Sequence, residues 1–175
     1  VQVLTRFCAI EQPYRDAFLR HYQRCGVRHV HVCVQTEQDA RIVEESALPS
    51  GLNLQVHRLD ATLNPSGALQ TFSLNLISSD APFTLLADCD EYVQFQNPGF
   101  TPARLAEMFP YAGQFYLPWV MAPRLDDSSV GGFWGHVGKP LVCSDRMAAI
   151  ASDHAFRLRD AEKADEGSLR VGAYG

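Results

Sequence analysis

The sequence has 175 residues, of which 46% are hydrophobic and 20% charged, and this composition is typical of one soluble folded domain with a hydrophobic core. Its formal net charge of −5 argues against a nucleic-acid-binding protein that relies on a basic patch. No apolar run reaches the roughly 20 residues that a membrane-spanning helix needs. The five cysteines are scattered and include no C-x-x-C pair, so they predict reduced, buried thiols in a cytoplasmic protein.

The first half of the chain alternates between predicted strands and predicted helices. Strands are predicted at residues 1–10, 27–35 and 52–59, and from residue 83 onward. Helices are predicted from Pro13 to the stop at Gly26, over residues 40–47, and from the Asn64 cap to residue 80. This order predicts an α/β fold that is Rossmann-like, with a mostly parallel central sheet and helices on both faces.

The second half has a different character. A helix is predicted from the Thr101 cap to Phe109, then a strand over 114–121, a glycine-rich loop over 123–138, a strand over 139–144 and a helical turn over 146–151. No interdomain linker is visible, so we expect a single domain. Residues 1–92 form its predicted nucleotide-binding half, residues 93–158 its acceptor-side half, and residues 159–175 a charged tail.

Two common nucleotide-binding motifs are absent from the sequence. No G-x-G-x-x-G follows the first predicted strand, and no G-x-x-x-x-G-K-[ST] occurs anywhere. The H-x-H pair of the second strand, His29 and His31, lacks a local third ligand, so we interpret it as a packed polar strand face.

The most informative stretch is residues 83–92, FTLLADCDEY, in which an apolar run leads directly into three acids. The run predicts a buried strand, and in open α/β sheets ligands bind at the carboxyl ends of strands. If extended geometry persists, Asp88 and Asp90 point to one side, where two carboxylates favour a shared Mg²⁺ or Mn²⁺ ion. A polar turn after a strand is the alternative. Cys89, between two carboxylates, is interpreted as a core residue rather than a nucleophile.

Other motifs occur in a fixed order around this stretch. Glu11 ends the first strand, the segment 18–22 (FLRHY) carries an aromatic residue and a histidine, and Gly26-Val27 precedes the second strand. After D-x-D-E-Y come Trp119, the glycine-rich loop, Lys139 and His154. In this order the chain resembles the GT-A glycosyltransferases, specifically the family 2-like and family 92-like group, over about residues 3–158. It departs from the group at Ile10, where the group usually has Asn, and in its short C-terminal part.

The resemblance implies a GT-A sandwich and a metal-dependent enzyme. Such an enzyme moves a sugar from a nucleotide-sugar donor, usually a UDP-sugar, to a hydroxyl of a saccharide or other acceptor, here with expected inversion. The expected cofactor is Mn²⁺ or Mg²⁺. The implied metal ligands are Asp90, Asp88 and His154, with ribose contact as a second possibility for Asp88.

Further roles follow from the same resemblance. Lys139 is a candidate to neutralise the donor diphosphate, or else an ordinary lysine at the start of a strand. Glu11 and Asp39 are candidates to bind the nucleotide base and ribose, or else acids that cap a helix or turn. An inverting transfer also needs a general base, for which Asp126 and Asp127 beside the glycine-rich loop are the candidates.

Three alternatives stay open at this point. A phosphohydrolase of the haloacid dehalogenase type also uses an apolar strand that ends in D-x-D, although normally on the first strand. A nucleotidyltransferase would need a basic, glycine-rich loop where Glu11-Gln12-Pro13 stands. A GT-A-like fold without catalysis, kept as a binding module, is the third.

Overall fold

The computed structural model describes residues 1–95, 97, 99–120, 133–152, 154–159 and 168–170. Its strands are β1 (Gln2–Arg6), β2 (His29–Val34), β3 (Asn53–Arg58), β4 (Phe83–Leu86), β5 (Gln114–Val120), β6 (Phe133–Cys143), β7 (Met147–Ser152), β8 (Ala155–Leu158) and β9 (Ser168–Arg170). Its α-helices are α1 (Gln12–Arg24), α2 (Glu37–Glu44), α3 (Pro65–Gln70) and α4 (Pro102–Met108).

The described strands form one seven-stranded sheet in the order β3-β2-β1-β4-β6-β5-β9 and a separate β7–β8 hairpin. The first four strands of the sheet are parallel, whereas β6 runs antiparallel between β4 and β5. The predicted α/β class and mostly parallel central sheet are therefore confirmed. The β3-β2-β1-β4 portion has the strand order of a Rossmann half.

Helices cover both faces of the sheet, as predicted. Val3 and Leu85 lie in a large apolar cluster that includes buried side chains of α1, α2 and α4. Their neighbours Leu4 and Leu86 lie in a second cluster with Leu69 of α3 and Ile150 of β7. The two clusters separate because successive side chains of a strand point to opposite faces. Within the described ranges, no helix has the length and apolar character needed to cross a bilayer.

The predicted helix-end signals are present. Gly26, just past α1, has φ of +81°, which glycine adopts without strain. The Asn64 side chain accepts a hydrogen bond from the Gly67 N–H (2.8 Å) at the start of α3, and the Thr101 hydroxyl accepts one from the Arg104 N–H (3.1 Å) at the start of α4. These caps satisfy backbone donors that have no partner inside the helix.

Several predicted boundaries were wrong in the first half. Strand β1 ends at Arg6, and Ala9–Glu11 is a 3₁₀ turn rather than strand. Helix α2 begins at Glu37, because Thr36 caps it. Helix α3 ends at Gln70 instead of reaching residue 80. A separate 3₁₀ turn follows at Leu74–Leu76, and the backbone of Ser78 then hydrogen-bonds the side chain of Gln2.

Three predictions in the second half also need correction. Residues 168–170, predicted to belong to a charged tail, form β9, which pairs with β5 in the main sheet. Residues 133–138, predicted as loop, belong to β6 and pair with β5, while residues 121–132 lie outside the described residues. The predicted helical turn over 146–151 is largely strand β7, which pairs with β8. Its alanines favour a helix locally, but burial of Ile150 against the sheet and the ladder with β8 decide the conformation.

Candidate functional site

The acids of the D-x-D-E-Y stretch lie at the carboxyl end of β4, in the middle of the sheet. Strand β4 pairs with β1 on one side and β6 on the other. The chain leaves β1 toward β2 and returns to the other side of β1 through β4, so the strand order reverses between β1 and β4. Ligand crevices of open α/β sheets form at such a point.

The strand ends in a closed turn instead of staying extended. The Ala87 N–H still donates to the Leu4 carbonyl (3.2 Å). After that, the Glu91 N–H donates to the Asp88 carbonyl (3.0 Å), and the Asp88 N–H donates to Glu91 Oε2 (2.8 Å). The condition under which Asp88 and Asp90 were expected to share one side, continued extended geometry, is therefore not met, since both residues belong to this turn.

Lys139 of β6 connects two of the three acids. Its Nζ lies 2.8 Å from Asp88 Oδ2 and 3.2 Å from Glu91 Oε2, and the residue is only 3% exposed. Burial raises the pKa of Glu91, as does the nearby Asp88 carboxylate, whereas Lys139 opposes this rise. The sequence-based role of Lys139 at a diphosphate stays a prediction, and the structure places its ammonium group on these carboxylates.

Asp90 differs from its neighbours because it is exposed. Within the described part of the chain its carboxylate takes part in no hydrogen bond or ion pair. Cys89, beside it, is buried and lies near the Thr5 hydroxyl (Sγ to Oγ1 3.5 Å). Burial raises the pKa of Cys89 to about 12, and the carboxylates of Glu11, Asp88 and Asp90 add to this. The interpretation of Cys89 as a core residue is confirmed.

Two side chains of α1 hold the backbone that follows the acids. The Tyr22 hydroxyl donates to the Glu91 carbonyl (3.1 Å), and His21 Nε2 donates to the Val93 carbonyl (2.9 Å). The ring of Tyr92 packs edge-on against His21. His21 and Tyr22 of the 18–22 segment therefore contact the D-x-D-E-Y stretch and the residues just after it directly.

Glu11 lies close to the acids, but it also caps its own turn. Its Oε2 accepts a hydrogen bond from the Cys8 N–H (2.8 Å). Burial raises its pKa, and Asp88 adds to the rise, whereas Arg6 at the end of β1 lowers it. Glu11 and Asp88 therefore interact electrostatically across the β1–β4 junction, and the predicted nucleotide contact of Glu11 stays a prediction.

Asp39 lies at the start of α2, after β2. Its carboxylate accepts a hydrogen bond from the Thr36 hydroxyl (2.6 Å), and the same hydroxyl accepts one from the Asp39 N–H (3.0 Å). Asp39 is only 6% exposed. The geometry corresponds to the capping alternative for this residue, and its nucleotide contact stays a prediction.

Three candidates remain, His154, Asp126 and Asp127. His154 is exposed in the short connection between β7 and β8, where its N–H donates to the Ser152 hydroxyl (3.2 Å). Asp126 and Asp127 lie outside the described residues, so the general base stays a prediction.

The acids present fit a divalent cation. Among the residues that the structure describes, no three His, Cys, Asp or Glu side chains form a group that could hold a metal ion. A preformed cage is not required, however, because Mg²⁺ usually keeps several waters and binds one or two carboxylates together with substrate phosphates. The exposed carboxylate of Asp90 offers hard oxygen ligands of this kind, as does the Asp88 oxygen that does not contact Lys139.

The pairing of Lys139 with Asp88 and Glu91 was not found from the sequence. Lys139 and Asp88 are 51 positions apart in the sequence, and no local pattern relates them. The one available signal was a lysine at the start of a strand within an otherwise apolar segment, because a buried lysine requires an anionic partner.

Neither a scan against models of protein families nor a search of curated protein sequences finds a match to this chain.

Proposed function

We propose that this protein is a metal-dependent glycosyltransferase of the GT-A type, which moves a sugar from a nucleoside-diphosphate sugar to an acceptor hydroxyl. The observation that carries the proposal is the placement of the acid cluster at the carboxyl end of β4, where the strand order reverses beside β1. The order of motifs that resembles GT-A enzymes adds the reaction class.

The residues of the cluster divide into two groups. Asp88 and Glu91 form a turn with a fixed counter-ion, and Asp90 projects into solvent without a partner in the described part of the chain. We assign Asp90 to the cation that accompanies the diphosphate, and Glu11 to the nucleoside side of the site, since it follows the neighbouring strand β1. A bound Mn²⁺ or Mg²⁺ would supply charge neutralisation for the departing diphosphate.

The acids explain why a cation should be required. A nucleoside diphosphate is an anion, and the exposed Asp90 and the partly buried Glu11 and Asp88 present further negative charge to it. The diphosphate and these carboxylates would repel each other unless a cation lies between them. Nucleotide binding at this end of the sheet should therefore depend on the metal.

The test is calorimetric titration of UDP and GDP into the protein, with and without Mn²⁺. We expect one of the two nucleotides to bind, and to bind only when Mn²⁺ is present. Asp90→Asn should weaken the affinity for that nucleotide by at least about tenfold, equivalent to about 1.4 kcal/mol. Asp145→Asn is the matched control, because Asp145 is exposed in the turn after β6, at the opposite end of the sheet. Release of the nucleotide from a panel of nucleotide sugars then measures turnover.

Each other outcome would point elsewhere. Folded protein that binds neither nucleotide would contradict the donor site. Metal-dependent binding without turnover on any donor and acceptor would favour a binding module. Hydrolysis of p-nitrophenyl phosphate that is lost in Asp88→Asn would favour the phosphohydrolase, in which the first aspartate is the nucleophile.

A further inference from the structure

The position of Lys139 is set by the pairing of β6 with β4. The register joins Phe83 to Cys143 and Leu85 to Leu141. When the same register is continued, Lys139 comes level with Ala87, one residue before Asp88. The lysine is therefore fixed beside the acid turn by the ladder of the central sheet and not by a loop.

The burial of Lys139 shows which role it can perform. A charged ammonium group with 3% exposure is strongly unfavourable unless anions and hydrogen bonds compensate it. Asp88 Oδ2 and Glu91 Oε2 provide this compensation at 2.8 and 3.2 Å. Without the lysine, two carboxylates within one short turn would face each other with no cation between them.

Glu91 extends the effect of Lys139 to the backbone. The oxygen that contacts Lys139, Oε2, also accepts the hydrogen bond from the Asp88 N–H (2.8 Å). The lysine thus holds both the carboxylate of Asp88 and the turn that presents Asp90 to solvent. Asp90 itself is exposed and takes part in no ion pair within the described residues.

We propose that Lys139 is a positioning residue of the donor site, in which its ammonium group is a built-in counter-ion that holds Asp88 and Glu91 so that Asp90 meets the cation. This role rests on the proposed function. It differs from direct neutralisation of the donor diphosphate, the role that the sequence suggested, because a positioning lysine acts through the acids and touches no phosphate.

Charge-balanced variants separate the two roles. Lys139→Met leaves Asp88 and Glu91 unpaired, whereas the double variant Lys139→Met with Glu91→Gln restores the net charge of the three side chains. The amide introduced by Glu91→Gln would retain an oxygen that accepts from the Asp88 N–H. Arg28→Met is the matched control for loss of a positive charge, since Arg28 is exposed just before β2, at the opposite end of the parallel strands.

The first readout is thermal unfolding without metal or nucleotide. We expect Lys139→Met to lower the midpoint by about 10 °C, because removal of one partner of a buried ion pair leaves unpaired charge. The double variant should recover at least half of this shift, and Arg28→Met should stay near the parent. Failure of the double variant to recover any stability would contradict the counter-ion role, whether or not the protein binds nucleotides.

The second readout is affinity for Mn²⁺ alone and for UDP at saturating Mn²⁺. We expect Lys139→Met to bind Mn²⁺, and UDP at saturating Mn²⁺, at least about tenfold more weakly than the parent, because the turn that presents Asp90 to the cation loses its counter-ion. In the double variant, UDP affinity should lie within about threefold of the parent. If UDP affinity in the double variant is as weak as in Lys139→Met, Lys139 contacts the phosphate and the positioning role is wrong.

These outcomes also separate the inference from the function on which it rests. If the parent binds neither Mn²⁺ nor a nucleotide, the proposed function is wrong, and the recovery of stability in the double variant still decides whether Lys139 is the counter-ion of Asp88 and Glu91.

Discussion

His31 and His57, on neighbouring strands, are joined by a hydrogen bond between their rings, with 3.1 Å between Nδ1 of His31 and Nε2 of His57. The other nitrogen of His31 lies 3.0 Å from Gln2 Oε1, which also accepts from the Ser78 N–H. Because an amide oxygen only accepts, His31 carries its hydrogen on Nε2 and accepts from His57 through Nδ1. The ring of His31 is therefore neutral in this arrangement.

This pair predicts a loss of stability in mild acid. Burial, together with the charges that His57 and His29 would carry, lowers the pKa of His31 to about 4, and burial also lowers the pKa of His57. The folded state thus binds fewer protons than the unfolded state, in which the histidine pKa is about 6.5. The contribution of His31 is fully present above about pH 6.5 and decreases as the pH falls toward 4, by on the order of 2–3 kcal/mol.

Urea unfolding at several pH values checks this prediction. His31→Gln should flatten the dependence of the unfolding free energy on pH between about 6.5 and 4. His154→Gln is the control, since His154 is exposed. An unchanged pH dependence in His31→Gln would mean that the buried pair does not titrate in this window, and that carboxylates account for any acid unfolding.

The contact between Thr36 and Asp39 predicts that Asp39 stabilises α2. Asp39→Ala should lower the free energy of unfolding by about 1–2 kcal/mol, because it removes an acceptor for the Thr36 hydroxyl and a negative charge from the first turn. Glu37→Ala is the control, since Glu37 is an exposed acid in the same turn. Denaturant titration measures the difference. A loss of nucleotide affinity of more than about tenfold in Asp39→Ala, with unchanged stability, would instead support a donor contact.

Gly26 predicts a packing constraint between the end of α1 and helix α4. A Cβ at Gly26 would lie 3.3 Å from the Cβ of Ala103, and φ there is +81°. Gly51 has nearly the same φ, +78°, but a Cβ there meets no atom within 4 Å. Gly51→Ala should therefore cost about 1–2 kcal/mol from backbone strain alone, and Gly26→Ala should cost more. Equal losses, measured by thermal or urea unfolding, would show that α4 moves to accommodate the methyl group.

Much of the fold was predictable because the signals were local. The alternation of strands and helices up to residue 92, the caps Asn64 and Thr101 and the stop at Gly26 depend on neighbours within a few residues. The apolar run 83–86 that leads into acids was also sufficient to place the candidate site at the end of a central strand. Hydrophobic periodicity and capping are properties of short segments, so they can be recognised in the sequence without knowledge of the tertiary structure.

The sequence by itself determined the order of elements and the identity of the acids at the end of β4, and the tertiary structure decided which of these acids are paired. The conformation of 147–152 depends on pairing with β8, and the state of Asp88 and Glu91 depends on Lys139 of a distant strand. These outcomes come from hydrogen bonds and ion pairs between residues far apart in sequence, whose strength depends on burial that only the assembled sheet creates.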